Sequence, residues 1–143
     1  MAQKNLIVVD GANVAFNEKA QSGKPKVSNL VAVRKVLEEK GYEPIIFVDA
    51  SLRYEIDNPQ QLEALLDDQV IRQVPAETDA DYFVLATAER FNAPVVSNDE
   101  FERYSDQFPW IEDRRVPLMI VKGKVELYHS SLESQQKPHH SEK

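Results

Sequence analysis

The chain contains no cysteine and only four glycines among its 143 residues. Without cysteine, neither disulfide bonds nor thiolate zinc sites can form. No histidine occurs before position 129, so the preceding sequence offers a metal ion mainly oxygen ligands. The glycines form neither a phosphate-binding loop nor a GxGxxG motif, which argues against a nucleotide-binding domain.

Positive charge is also scarce, with 17 basic against 24 acidic residues and a net charge of −7. This balance argues against a protein that coats nucleic acid with a broad basic surface, but not against an enzyme that touches a few phosphates. No apolar run is long enough to span a bilayer, and the N-terminal apolar stretch is too short for a signal peptide. We therefore expect a cytoplasmic protein that does not contact membranes.

The residues that are present, 42% apolar and 29% charged, are typical of a globular protein. We expect one folded domain over residues 1–129. Hydrophobic periodicity ends there, which predicts a flexible tail over residues 130–143. The sequence leaves the oligomeric state open, including a homodimer.

Apolar runs alternate with helical patterns along the expected domain. The predicted strands are LIVVD, PIIFVDA, VIRQVP, APVVSND and VPLMIVKGKVELY, the last of which can add a hairpin turned at Lys122 and Gly123. The predicted helices are VSNLVAVRKVLEEKG, NPQQLEALL, TDADYFVLATAERFN and DEFERYSDQF. This alternation predicts an α/β fold with three layers around a mostly parallel five-stranded sheet.

Aspartates follow the predicted strands. Asp10 ends the first strand, Asp49 the second and Asp99 the fourth, while Asp79 and Asp81 open the helix after the third. The carboxyl ends of parallel strands share one edge of the sheet, where ligands bind near the point of strand-order reversal. Clustered carboxylates repel one another, so they must share protons or hold a cation. An all-oxygen ligand set favours Mg²⁺ or Mn²⁺, ions that suit phosphodiester hydrolysis.

Several of these acids could also serve a purely structural role. Thr78 with Asp81, and Ser97 with Glu100, have the spacing of helix capping boxes. Asp49 could simply end a strand before a turn. Capping uses backbone amides and leaves carboxylate lone pairs for a metal ion, so a cap and a ligand can be the same residue.

Three segments resemble the NYN ribonucleases of the PIN-like superfamily, most closely the Regnase-type branch. They are VVDGANVAF at 8–16, TDADYFVLATA at 78–88 and PVVSNDEFERY at 94–104. The resemblance covers nearly all of the chain before the tail. It implies a Rossmann-like, PIN-like sandwich and a metal-dependent endoribonuclease that hydrolyses RNA phosphodiester bonds through a carboxylate-bound divalent cation.

The resemblance also implies roles for individual residues. Metal ligation falls to four aspartates, Asp10, Asp79, Asp81 and Asp99. Asn13 would orient water or phosphate beside the first ligand, and with Asp10, Asp81 and Asp99 it would complete the catalytic set. Ser97 and Asn98 would support Asp99 and contact the substrate.

Basic residues near the expected site could bind the substrate. Lys24 and Lys26 lie on a loop after the first motif, and Arg53 follows the second strand. Lysines on a loop can close on a phosphate backbone, and an arginine can grip it with two hydrogen bonds. The expected partner is single-stranded or looped RNA, while a solvated loop without substrate contacts is the alternative.

One position departs from the family pattern. Relatives often have a further aspartate four residues after the acid of SND, where this chain has Arg103, although Glu102 or Asp106 could replace it. The alternative function is therefore a catalytically weak or inactive NYN-type module that binds RNA or a protein.

Two other phosphate chemistries fit the sequence poorly. A haloacid-dehalogenase phosphatase needs a second aspartate two residues after the first, where this chain has Ala12. A response-regulator receiver domain needs an acidic pair at the end of its first strand, but Val9 precedes Asp10.

Overall fold

The computed structural model describes residues 5–128, so the predicted tail at 130–143 lies outside the described residues. The strands are β1 Asn5–Asp10, β2 Tyr42–Val48, β3 Ile71–Gln73, β4 Val95–Val96, β5 Arg115–Val116, β6 Leu118–Val121 and β7 Lys124–Leu127. The helices are α1 Gly11–Ala15, α2 Val27–Glu39, α3 Pro59–Asp67, α4 Ala80–Phe91 and α5 Ile111–Arg114. Short 3₁₀ segments cover Ala50–Tyr54 and Glu102–Tyr104. Within residues 5–128, no helix combines the length and apolar character needed to cross a bilayer.

Five strands form a parallel sheet in the order β3-β2-β1-β4-β5. The chain builds β2 and β3 on one side of β1, then returns to build β4 and β5 on the other. Strand order therefore reverses between β1 and β4, where Val9 is in register with Val96. A crevice at such a switch point is where parallel α/β sheets bind ligands. The predicted α/β class and the five-stranded sheet are confirmed.

The core lies on both faces of this sheet because the side chains of β1 alternate between them. Ile7 and Val9 pack with the buried residues of α2 and α3 on one face. Val8 packs with α4 on the other face, together with Phe101 and Phe108. Helices thus cover both faces, as the prediction of three layers requires.

Of the segment predicted as the fifth strand, only Val116 belongs to the five-stranded sheet, and the predicted hairpin is present as a separate antiparallel pair, β6 with β7. Its turn residues Lys122 and Gly123 have φ of +52° and +79°, the left-handed pair that a two-residue type I′ turn needs. The side-chain amide of Asn98 accepts from the Leu118 N–H and donates to the Leu118 carbonyl, both at 2.8 Å. The carboxylate of Glu18 accepts the two turn N–H groups. These bonds hold the hairpin against the sheet.

The predicted helix over DEFERYSDQF was wrong, because only Glu102–Tyr104 forms a single 3₁₀ turn. The carboxylate of Asp99 accepts the Phe101 N–H at 2.8 Å, which closes a local turn in place of a helical one. Phe101 itself has φ of +54°, outside the helical region. The turn allows the Phe101 ring, 2% exposed, to enter the core below α4.

The predicted capping boxes are also absent. Asp79, rather than Thr78, caps α4, since its Oδ1 accepts the Asp81 N–H at 3.1 Å. Ser97 accepts the N–H of Asp99 and begins no helix, so its spacing to Glu100 has no capping role. Asn58 caps α3, since its Oδ1 accepts the Gln61 N–H at 3.1 Å.

Candidate metal centre

Asp10 lies at the carboxyl end of the central strand β1 and is also the N-cap residue of α1. Its side chain is buried, with 9% of its surface exposed. The following Gly11 lets α1 begin directly against β2. A Cβ at this position would lie 2.5 Å from the carbonyl oxygen of Phe47 and 2.6 Å from a methyl carbon of Val48. The Asp-Gly pair thus ends a buried strand and starts a closely packed helix.

Ser97 joins the tips of β1 and β4. Its buried hydroxyl donates to Oδ2 of Asp10 at 2.9 Å and accepts the N–H of Asp99 at 3.0 Å. Its own N–H donates to the Val116 carbonyl of β5 at 3.1 Å. Ser97 therefore fixes Asp10, the last residue of β1, beside Asp99, which lies in the loop after β4. The prediction that Ser97 supports Asp99 missed this second bond to Asp10.

A third acid comes from the helix on one face of the sheet. Asp81 lies in the first turn of α4, which packs against β1. One carboxylate oxygen each from Asp10, Asp81 and Asp99 lies within 4.8 Å of the other two. The structure thus brings three of the four predicted metal ligands to one point at the switch between β1 and β4.

The electrostatics of this group favour a bound cation. Burial raises the pKa of Asp10 from 3.8 to about 6, against the hydrogen bond from Ser97, and the charges of Asp81 and Asp99 add to the rise. The pKa of Asp81 is also raised, first by burial and then by Asp99 and Asp79. A cation would relieve this desolvation and repulsion, and three oxygen donors suit a hard divalent ion. The residues therefore fit such an ion.

Asp79, predicted as a fourth ligand, does not belong to the group of three acids. Its Oδ1 accepts the Asp81 N–H, and its Oδ2 accepts the hydroxyl of Tyr104 and lies 2.8 Å from Nη2 of Arg103. The hydrogen bond from Tyr104, with that from Arg103, lowers the pKa of Asp79. Because three donors already contact its carboxylate, Asp79 is directed toward Arg103 and Tyr104 and not toward the three clustered acids.

Arg103 stands where relatives often have an acid, and it faces two of the aspartates. Its Nη2 lies 3.5 Å from Oδ2 of Asp81 as well as close to Asp79. Neither Glu102 nor Asp106 joins the metal-type group found among the described residues. No sequence pattern indicated that Tyr104 and Arg103 would meet an aspartate more than twenty residues away.

Asn13 and Asn98 have structural partners at the edge of the site. The side-chain oxygen of Asn13 accepts the Asn98 N–H at 2.9 Å, which fixes the loop after β4 to α1. The amide of Asn98 is bonded to Leu118 in the hairpin, as described above. Both side chains therefore shape the site, while their contacts with water or substrate stay predictions.

The two predicted substrate lysines differ in their surroundings. Lys24 is exposed on the loop between α1 and α2. Nζ of Lys26 is half-buried and lies 3.1 Å from Oε1 of Glu18. A role in substrate binding stays a prediction for both.

Arg53 and Asp49 follow β2, on the side of β1 that faces away from β4. Arg53 forms an ion pair with Glu63 at 2.9 Å and donates to Gln73 at the end of β3, two strands from β1. Asp49 accepts the hydroxyl of Ser51 at 3.1 Å, so its carboxylate serves the turn after β2. Neither is brought together with the three acids.

An open cleft of about 560 Å³ adjoins the acids. Its lining includes Asp81, Asn98, Asp99 and Arg103. Arg103 is the one cationic side chain among the described residues that line it. A ligand that enters this cleft meets the carboxylates and the guanidinium together.

The parallel α/β sheet and the acids at its switch point are the arrangement that the resemblance to PIN-like domains implies. The sequence model of one family, the Zc3h12a-like Ribonuclease NYN domain, matches residues 3–140. The chain belongs to this family, and the resemblance found in the three sequence segments is confirmed.

Solved structures show the same fold. One, described as nuclear proteinaceous RNase P 2 (PRORP2) from A. thaliana, has a TM-score of 0.67 and 24% identity over 89% of this chain. Another, the Arabidopsis thaliana nuclear protein-only RNase P 2 (PRORP2), has a TM-score of 0.68 and 22% identity over 92% of this chain. The chain spans only 30% and 31% of those two chains, so it corresponds to part of them. No curated protein is similar enough in sequence to count as a match.

Proposed function

We propose that this chain is a Mg²⁺- or Mn²⁺-dependent endoribonuclease that hydrolyses phosphodiester bonds in single-stranded or looped RNA. The observation that carries the proposal is the convergence of Asp10, Asp81 and Asp99, with one oxygen from each within 4.8 Å of the others. Membership of a ribonuclease family makes RNA the substrate class that this acidic centre would serve.

Asp10, Asp81 and Asp99 would hold the cation. A bound divalent cation polarises the phosphodiester and lowers the pKa of an attacking water. The protein fixes the positions of two of these ligands through Ser97. The Ser97 hydroxyl donates to Asp10 at 2.9 Å and accepts the N–H of Asp99. With a pKa of about 6, Asp10 is mostly ionised at neutral pH and can act as a ligand there.

Phosphate contacts would come from basic residues outside the cleft, which an extended RNA strand can reach while one phosphodiester lies at the acids. Lys24 is exposed and can reach a substrate without giving up a buried position. Lys26 and Arg53 would exchange their carboxylate partners, Glu18 and Glu63, for phosphate oxygens. Such partly exposed ion pairs contribute about 0–1 kcal/mol, so the exchange costs little.

Cleavage of a circular, unstructured RNA by the purified full chain tests the proposal, because a circle has no ends and only an endonuclease can open it. With Mn²⁺ or Mg²⁺ the wild type should cut it, and a chelator should stop the reaction. Asp10→Asn and Asp99→Asn should each lower the rate by at least about 100-fold, the range of lost metal-ion catalysis.

Asp67→Asn is the matched control, because it makes the same charge change at an exposed position at the end of α3. It should cut at the wild-type rate, and far-ultraviolet circular dichroism should show that all variants are folded. Cleavage retained by both Asp10→Asn and Asp99→Asn would refute the proposal.

A second candidate, a non-catalytic RNA- or protein-binding module, is favoured by the contacts of Arg103 with Asp79 and Asp81. A cation already present at this position could replace a metal ion entirely. Calorimetry with Mn²⁺ separates the two candidates, since a module without a metal centre should take up no Mn²⁺ at millimolar concentration.

A further inference from the structure

Arg103 is held from several sides at the mouth of the acidic cleft. Its Nη2 lies 2.8 Å from Oδ2 of Asp79 and 3.5 Å from Oδ2 of Asp81. Its Nη1 donates to the Tyr104 hydroxyl at 3.2 Å, and its guanidinium carbon lies 4.7 Å from the centre of the Tyr104 ring. Because the Tyr104 hydroxyl in turn donates to Asp79, the three side chains form a closed network beside Asp81.

Asp79 and Asp81 differ in the partners of their carboxylate oxygens. Asp79 has a donor on each oxygen, namely the Asp81 N–H on Oδ1 and the Arg103 and Tyr104 groups on Oδ2. Asp81 takes part in both groupings: it is one of the three clustered acids, and it also contacts Arg103. A divalent cation held by the three acids would therefore have the guanidinium of Arg103 as a neighbour through Asp81.

A two-ion centre would need a second cation about 3.5–4 Å from the first, bridged or flanked by carboxylates. Beside Asp81 the next carboxylate is Asp79, and the guanidinium already lies between the two. We infer that Arg103 is a positioning residue that acts as a tethered counterion: it restricts the centre to one divalent cation and competes with that cation for Asp81. The inference rests on the proposed function, which assigns a cation to the three acids.

The other use of such an arginine would be to grip a phosphate of the RNA. The contacts favour the counterion role, because the guanidinium contacts Asp79, Asp81 and the Tyr104 hydroxyl at once, and a phosphate grip would give up this whole network rather than a single exposed pair. The two roles differ without any RNA present. A counterion changes the affinity of the free protein for metal, whereas a phosphate grip leaves it unchanged.

Isothermal calorimetry with Mn²⁺ alone, on the RNA-free full chain at low salt, tests the inference. Wild type should bind one ion. Arg103→Ala should bind its first Mn²⁺ roughly tenfold more tightly, because it removes a positive charge that lies 3.5 Å from Oδ2 of Asp81 and would repel a doubly charged ion held by that carboxylate. The gain should shrink as salt is added. Unchanged affinity in Arg103→Ala, or two ions in wild type, would overturn the inference.

Two further variants make the result specific. Arg103→Lys keeps the charge and should bind Mn²⁺ within about twofold of wild type; if it instead matches Arg103→Ala, charge is not the cause and the inference fails. Arg90→Ala makes the same charge change nine positions beyond Asp81 on α4, about 13 Å along the helix. It should change the affinity less than about twofold. If Arg90→Ala gained as much Mn²⁺ affinity as Arg103→Ala, the effect would come from net charge alone, and the specific role of Arg103 would be overturned.

Failure of the proposed function would look different. If the folded wild type took up no Mn²⁺ at all, the metal centre itself would be refuted, and the role of Arg103 with it. If wild type bound one ion and Arg103→Ala bound it equally well, the metal centre would stand and only the counterion role would be lost.

Discussion

Replacement of Asp10 by asparagine should stabilise the metal-free protein at neutral pH, although it should abolish catalysis. Asp10 is buried and shares one small region with the carboxylates of Asp81 and Asp99. Asparagine has nearly the same shape, and its oxygen can accept the Ser97 hydroxyl that now donates to Asp10. Its amide N–H groups can donate to a neighbouring carboxylate. The substitution thus removes a buried charge and keeps the packing.

The pKa of Asp10 sets the size of the effect. Burial, together with the charges of Asp81 and Asp99, raises it from 3.8 to about 6. A pKa difference of one corresponds to about 1.36 kcal/mol, so the rise from 3.8 to about 6 means that an ionised Asp10 costs the folded state about 3 kcal/mol above pH 6. The folded protein binds the proton more tightly than the unfolded chain, so this cost develops as the pH rises from about 4 to 6. Below about pH 4 both states are protonated and the cost disappears.

Urea denaturation in the presence of a chelator, from pH 4 to pH 8, measures the free energy of unfolding for both proteins. The two should be equally stable near pH 4, and Asp10→Asn should be more stable by up to about 3 kcal/mol at pH 7.5. Asp67→Asn, at an exposed position, should show no such trend. Added Mn²⁺ should stabilise the wild type by mass action and leave Asp10→Asn unchanged.

The pH dependence of the difference is the decisive result. If Asp10→Asn has the same stability relative to wild type at pH 4 and pH 7.5, Asp10 is not a buried charge among like charges. A variant that is less stable than wild type at every pH would refute the reasoning as well.

Three other substitutions test the framework around the acids. Gly11→Ala should lower the free energy of unfolding by about 2 kcal/mol, because the added Cβ would lie 2.5 Å from a carbonyl oxygen of β2; an unchanged urea midpoint would contradict this packing. Asn98→Ala removes two hydrogen bonds of 2.8 Å to the main chain of Leu118, so amide hydrogen exchange in the hairpin should accelerate about tenfold. Unaltered protection there would show that Asn98 is no anchor. Ser97→Ala deletes the hydroxyl that donates to Asp10, so the pKa of Asp10 should rise further and Mn²⁺ uptake measured by calorimetry should move to higher pH. A pH profile identical to that of wild type would argue against this role of Ser97.

The elements predicted well are those whose local pattern and packing agree. In β1 a run of apolar residues is buried on both faces, and in α2 the residues Val27, Leu30, Val33 and Leu37 repeat at helical spacing and are all buried. The segment after Asp99 was predicted wrongly because its pattern also fits a helix. Burial of the Phe101 and Phe108 rings below α4, with the Asp99 turn, decides its conformation instead.

The candidate site divides in the same way. The placement of Asp10 and Asp99 at strand ends follows from sequence, because hydrophobic runs and the acids that end them are local features. The sequence could not predict that Asp81 joins the group of three acids while Asp79 binds Arg103 and Tyr104. This difference depends on which carboxylate oxygens contact those two side chains in the folded protein. Side chains two positions apart in one helical turn point in different directions, and only their neighbours determine their roles.

The amino-acid sequence by itself determined the α/β class and the family, together with the supply of carboxylates at the edge of the sheet, because periodicity and motif order are properties of the chain. Only the tertiary structure decided that β4 lies beside β1, which brings Asp99 to Asp10, and that Arg103 reaches Asp81. The physical reason is that electrostatic interactions depend on distances in space, and the packing of segments far apart in the chain sets those distances.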